Sequence, residues 1–190
     1  MFGKKVVQAV SVLLGVGLVG LMVVRTSSAV FSGSTTNNGN GWTTGTVTLS
    51  DNRLGTAMFT VAGDGNLAGG ATLTRCITVA YTGSIVTGTS VKLYAPASTG
   101  ALRDYLDTTV EQGTGAQANC SDFAPTSTIR STTALSTITT NNTTFGTGLG
   151  SWSPTATNQT MTYRFTVTVQ NTANAQNKSA TADFTWEALA

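Results

Sequence analysis

Apolar residues recur at every second position in several short stretches of this chain, and no long stretch carries them at helical spacing. The clearest run is Met161 to Val169, where Met161, Tyr163, Phe165, Val167 and Val169 alternate with Thr162, Arg164, Thr166 and Thr168. That period sends the two sets of side chains to opposite faces of a strand, one toward a core and one toward water. A slip of one residue would bury Arg164 and expose Phe165, so the register is strongly specified. Shorter versions of the pattern occur at Val47 and Leu49, at Ala57, Phe59 and Val61, at Val91 and Leu93, and at Phe184 and Trp186. Leu73, Ile77, Val79 and Tyr81 also share a face, with Arg75 as its odd, charged member. Between these stretches lie turn-forming residues: Gly63-Asp64-Gly65-Asn66, Gly69-Gly70, Thr87-Gly88, Gly113-Thr114-Gly115 and Asn141-Asn142.

Short strands at this spacing predict an all-β domain, a jelly-roll-like antiparallel β-sandwich spanning residues 46–190. Two stretches depart from the alternation. Ala101 to Leu106 reads as one helical turn leading into a strand from Leu106 to Glu111. Residues 124–157 are rich in Thr and Ser with sparse apolar residues, and read as a long crossover with a short helix near Thr133–Ile138. The chain shows no internal repeat.

The N-terminus has a different character. Lys4 and Lys5 precede an apolar run from Val6 to Val24, followed by Arg25-Thr26-Ser27-Ser28-Ala29. Small residues stand at the positions that a signal peptidase requires for a cut between Ala29 and Val30, so residues 1–29 are expected to be a secretory signal peptide. The competing reading keeps the run as a membrane anchor, since about 20 apolar residues suffice to span a bilayer. Cleavage leaves 161 of the 190 residues, enough for one domain with its own core. Lys4, Lys5 and Arg25 leave with the leader, so the mature chain carries seven basic and eight acidic residues. With no basic patch to neutralise a row of phosphates, nucleic acid is not an expected partner.

Export changes the reading of the two cysteines. An even number in a secreted chain predicts a disulfide between Cys76 and Cys120, with two free thiols as the alternative. Charge is sparse and Thr, Gly, Ser and Asn are abundant, which suits pleated surfaces and turns and leaves weak repulsion between copies.

Three stretches, taken in order, resemble a known family. The first is Ala29-Val30-Phe31-Ser32 followed by Asn40-Gly41-Trp42-Thr43-Thr44-Gly45-Thr46-Val47-Thr48-Leu49. The second runs from Tyr105 to Thr114 and on through Cys120-Ser121-Asp122-Phe123, and the third joins Tyr163–Val169 to Gln176–Ala188. Together they are similar to the TasA/camelysin-like group of exported proteins, including its actinobacterial alternate-signal-peptide branch. The resemblance implies a jelly-roll domain at the cell surface or in a biofilm matrix. It also implies fibres in which the mature N-terminal segment of one subunit, here residues 30–45 with Val30, Phe31 and Ser32 at its start, adds a strand to the next. The cysteine pair and the low charge depart from the better-studied rod-shaped Gram-positive members. Residues 30–40 themselves permit strand donation: a polar Gly/Asn/Thr run with two apolar residues, Val30 and Phe31, at its head cannot fold alone but can complete a sheet edge. The alternative is that this segment is a frayed end or pairs with its own domain.

Candidate chemistry is thin. The chain has no histidine, which removes His-assisted hydrolysis and every zinc site that needs His. The metallopeptidase label attached to the family finds no His-Glu-x-x-His run here. Asp107 and Glu111 share a strand face, with Asp104 nearby, and are expected to be solvated carboxylates. Asp64-Gly65-Asn66 is expected to form a hairpin turn rather than a calcium loop. Lys92 and Lys178 have no evident partner for an isopeptide bond. Trp186, beside Phe184, reads as core, whereas Trp152, in a Gly/Ser/Pro context, is the candidate for stacking on a sugar. No cofactor and no catalysis are expected. The leading expectation is a structural subunit that contacts copies of itself, signal peptidase, and other matrix or cell-wall components. The alternative is a monomeric surface module for a carbohydrate or protein ligand.

Overall fold

The computed structural model describes residues 44–190. The leader 1–29, the cut between Ala29 and Val30, and the donor residues Val30, Phe31 and Ser32 lie outside the described residues.

Among the described residues, ten strands form three antiparallel sheets. The largest has the order β1-β2-β8-β5-β6, built from Leu49–Asp51, Thr72–Tyr81, Gln159–Val169, Leu106–Thr114 and Ala124–Ala134 respectively. The second has the order β10-β3-β7, from Thr185–Leu189, Ser90–Tyr94 and Leu149–Trp152. The third is a two-residue pairing of β4 (Ser98–Thr99) with β9 (Thr181–Ala182). Two short α-helices, α1 (Val61–Asp64) and α2 (Leu135–Asn141), and three 3-10 turns, Ala101–Tyr105, Phe145–Thr147 and Ala173–Ala175, complete the described elements.

The strand with the best alternation sits at the centre. β8 pairs in unbroken register with β2, from Thr72 opposite Thr168 to Tyr81 opposite Gln159, and on its other side with β5, from Leu106 opposite Val169 to Gly113 opposite Thr162. Directly paired residues face the same way. Ile77, Val79, Tyr81, Tyr163, Phe165 and Val110 therefore point inward from the larger sheet, and Val91, Leu93, Leu149 and Trp152 meet them from the smaller one. Aromatic contacts join the two layers: Phe165 of β8 lies 4.7 Å from Phe184, and Tyr163 lies edge-on 5.4 Å from Trp186 of β10. Such pairs contribute about 1 kcal/mol each beyond the area they bury.

The outer face of the larger sheet is held by hydroxyls and one ion pair. Thr72 meets Thr168 at 2.8 Å, Thr109 meets Thr132 at 2.8 Å and Thr78 meets Thr162 at 2.9 Å, each across a strand boundary. Arg164 is held 2.7 Å from Glu111, and its guanidinium lies 4.5 Å from the centre of the Phe123 ring. Asp107 accepts from the Gln170 amide at 2.8 Å, so the two carboxylates that share this face each have a partner of their own.

Cys76 and Cys120 are joined, tying β2 to the 115–123 loop that follows β5. That loop closes over the sheet. The Cys76 N–H donates to the Ala118 carbonyl at 3.1 Å, and the Asn52 amide donates to the Ala116 carbonyl at 3.2 Å. Asp122 accepts from the N–H groups of Ala116 and Gln117 at 2.8 and 3.0 Å, and those bonds hold its carboxyl below the usual range. Gly115 starts the loop at φ 121°, with the Asp122 carbonyl 2.8 Å from where a side chain would begin; only glycine takes that backbone without strain.

Three expectations need correction. Ala57, Phe59 and Val61 do not form a strand: residues 55–60 are irregular, Met58 and Phe59 are both half-buried, and Val61 is 86% exposed at the start of α1. Residues 124–157 are not a crossover loop. They begin with the eleven-residue β6, continue into α2, which starts two residues later than expected, and end with β7. β6 escaped the alternation test because it is an edge strand whose residues 124–128 are all exposed, so no core face imposes a period. Asp64-Gly65-Asn66 is not the tip of a hairpin but the end of α1, with Asn66 at φ 60°.

Candidate functional site

The two facing sheets differ in width by two strands, and β10 and β7 are the edges of the narrower one. β10 pairs with β3 along one side, from Thr185 opposite Tyr94 to Leu189 opposite Ser90, and among the described residues no strand pairs with its other side. The opposite layer is also incompletely edged there. β1 covers β2 only from Val79 to Tyr81. The rest of that seam is an apolar groove of about 1220 Å³.

Each wall follows from a sequence pattern. The inward residues Leu73, Ile77 and Val79 of β2 and Val167 and Val169 of β8 line one side. Phe184 and Trp186 line the other, and Leu102, Leu106 and Leu135 line the groove from the small second core that packs below them. The irregular segment 55–60 lines it as well, through Met58 and Phe59. From Leu73 to Val79 the groove follows β2 for roughly 20 Å at the rise of an extended chain, a length that accepts six or seven residues of a further strand.

One charged pair stands in this apolar setting. Arg75 occupies an inward position of β2, opposite Phe165. Its guanidinium meets the Asp64 carboxylate at 2.5 Å, the two side chains being 33% and 9% exposed. Asp64 also accepts from the Thr60 N–H at 3.0 Å. An isolated charge on a core face is costly, so the pairing explains why β2 tolerates an arginine there. The sequence signal was Arg75 as the odd residue on an apolar face; its partner, from a different element, was not legible.

Tyr163 lies behind the groove wall with its ring against Trp186. Burial pushes its hydroxyl up to about 12, opposed in part by the Gln112 amide, which donates to the hydroxyl oxygen at 3.2 Å. An unfolded tyrosine ionises near pH 10, so between about pH 10 and 12 the unfolded chain releases a proton that the folded one keeps. Stability from this group is therefore complete below pH 10 and falls as pH rises toward 12, at about 1.4 kcal/mol per pH unit. In urea titrations at pH 9 to 12, Tyr163→Phe is expected to flatten the alkaline fall by that slope. An unchanged slope would remove Tyr163 from the account.

The other sequence candidates are placed as follows. Trp152 is 7% exposed, opposite Val91 in β7, and belongs to the core. It is therefore not the exposed platform that a sugar would stack on, and the loop it was assigned to is a strand. Trp186 packs on Tyr163 and Phe165 as expected of a core residue. Lys92 lies over Phe145 at 5.0 Å and Lys178 over Tyr105 at 5.7 Å. Among the described residues no group of three or more His, Cys, Asp or Glu is placed to hold a metal ion, and no helix is long and apolar enough to cross a membrane.

What fold and groove define is a class: an all-β protein of antiparallel sheets with an apolar seam lined by a strand that, among the described residues, is unpaired on one side. No protein-family model matches the chain, and no curated protein is a significant match to it.

Proposed function

We propose that this protein is an exported structural subunit of a cell-surface or matrix fibre, of the TasA/camelysin-like kind, with a jelly-roll-like sandwich as its body. Signal peptidase removes residues 1–29, and the freed segment beginning Val30-Phe31-Ser32 enters the groove of the next subunit. The observation that carries this reading is the groove beside β10. Its edge offers main-chain donors and acceptors, and its floor offers apolar pockets, the two things that strand addition uses for affinity and register. The occupant is a second copy, because residues 30–45 begin the mature protein once the leader is removed and are too polar in sequence to fold alone. A donor at one end and an acceptor elsewhere make a head-to-tail contact, which yields a filament when it does not close. The disulfide and the low charge suit an extracellular polymer. No catalysis and no cofactor enter this reading. The alternative of a monomeric sugar-binding module loses its anchor with the burial of Trp152.

The test compares the mature chain from Val30 with a form lacking Val30–Thr36. Electron microscopy and sedimentation over a range of concentrations should show fibres from the first and a folded monomer from the second. Fibres that persist without Val30–Thr36 would refute donation by this segment.

A further inference from the structure

Ala57–Val61 has the sequence of a strand and the structure of none. Its alternation, its β-branched and aromatic residues and its lack of charge all favour pairing. Yet among the described residues the main-chain N–H groups of Ala57, Met58, Phe59 and Val61 have no hydrogen-bond partner, and Val61 is 86% exposed. A conflict between local preference and observed state is uncommon in natural sequences and concentrates where a segment works. This segment lines the groove that β10 also lines.

What keeps it in place is local. The next residues form α1, whose single turn is capped by the Thr60 hydroxyl accepting from the Gly63 N–H at 3.0 Å. Asp64 closes that turn onto β2 through Arg75. Upstream, Arg53 donates to the Cys76 carbonyl at 3.3 Å. Between these two anchors on β2, residues 55–61 form a strap that lines the groove.

We propose that this strap is a conditional strand: the Arg75–Asp64 pair latches it in the free subunit, and it pairs with the strand of a second copy when that strand enters beside β10. The inference rests on the proposed strand addition and adds what regulates it. The entering segment meets β10 along one side and Ala57–Val61 along the other. Met58 and Phe59 shift from plugging the seam to flanking the new strand. Because the latch must loosen first, it sets the rate of assembly and protects the free subunit from premature growth, a protection that an open edge needs.

The test is hydrogen exchange on the mature wild-type chain, as monomer and as assembled material, with assembly rates for Asp64→Asn and Arg75→Gln beside it. The amides of Ala57, Met58, Phe59 and Val61 are expected to exchange freely in the monomer and to slow by about 100-fold on assembly. Each variant is expected to assemble about three- to five-fold faster, the effect of losing one partly exposed ion pair, and the wild type should gain in rate as salt screens the latch. Should a variant fail to fold, the wild-type exchange pattern still decides. Fibres that form with 57–61 unprotected would overturn the strap while leaving strand donation standing. A mature chain that stays monomeric in wild type and variants alike would overturn both.

Discussion

Serine at both Cys76 and Cys120 is expected to lower the free energy of unfolding by about 4 kcal/mol, on the chain-entropy account of a loop this long. The two residues are separated by 44 positions, so the bond removes a large share of the unfolded chain's freedom. The native side adds to this. Cys76 is buried on the outer face of the larger sheet, and Cys120 sits at the far end of the 115–123 loop. Without the bond that loop keeps the Asp122 turn, the Asn52 contact and the Cys76–Ala118 hydrogen bond, so it loosens rather than departs. For a chain of this size a loss of about 4 kcal/mol lowers the melting temperature by about 12 °C. Urea denaturation of the double-serine form, and of the wild type with and without reductant, measures it directly. A loss below about 1 kcal/mol would mean that the loop is held by its hydrogen bonds instead. The bond lies on the outer face, away from the groove between the sheets, so the folded double-serine protein should still assemble.

The second large effect is expected at Phe165→Ala, a loss of about 4 kcal/mol. Phe165 is fully buried at the centre of the middle strand, opposite Arg75 and Val110, and its ring meets Phe184 at 4.7 Å and Trp186 at 6.3 Å. Truncation removes the transfer free energy of the ring and leaves a space that two sheets locked in register cannot collapse around. Phe165→Leu keeps most of the volume and should cost about 1.5 kcal/mol or less. Equilibrium unfolding of the pair separates lost volume from lost aromatic contact. Equal effects of the two substitutions would place the ring outside the energetic core. Because Phe165 supports Phe184 and Trp186 on the groove wall, the alanine form should also assemble poorly at temperatures where it remains folded.

How far the fold was legible depended on whether a segment has one wet face. Met161–Val169 and Leu73–Tyr81 could be read directly, because a half-buried strand writes its two environments into alternate residues. β6 could not. Its threonines and serines at an exposed edge answer to no core, and its pairing with β5 is set by three register shifts that no local pattern encodes. Trp152 misled for a related reason: glycine and serine neighbours suggested a loop, whereas β7 is a short strand whose inward tryptophan fills the smaller sheet. At the groove, the sequence marked Arg75 as misplaced and Ala57–Val61 as strand-like. It did not reveal that Asp64 answers the first, or that the second forms no strand among the described residues and lines the groove that β10 also lines.

By itself the sequence determined the secondary-structure class, the inward and outward sides of the central strands and the cysteine pair available for a bond. These depend on period, side-chain volume and composition, all carried by neighbouring residues. Only the tertiary structure decided that, among the described residues, one sheet is two strands narrower than the other, which strands form its edges and which side chains line the gap. Those properties arise where β2, β8, β10 and the 55–61 segment meet, and residues more than 100 positions apart along a chain set no local pattern in one another.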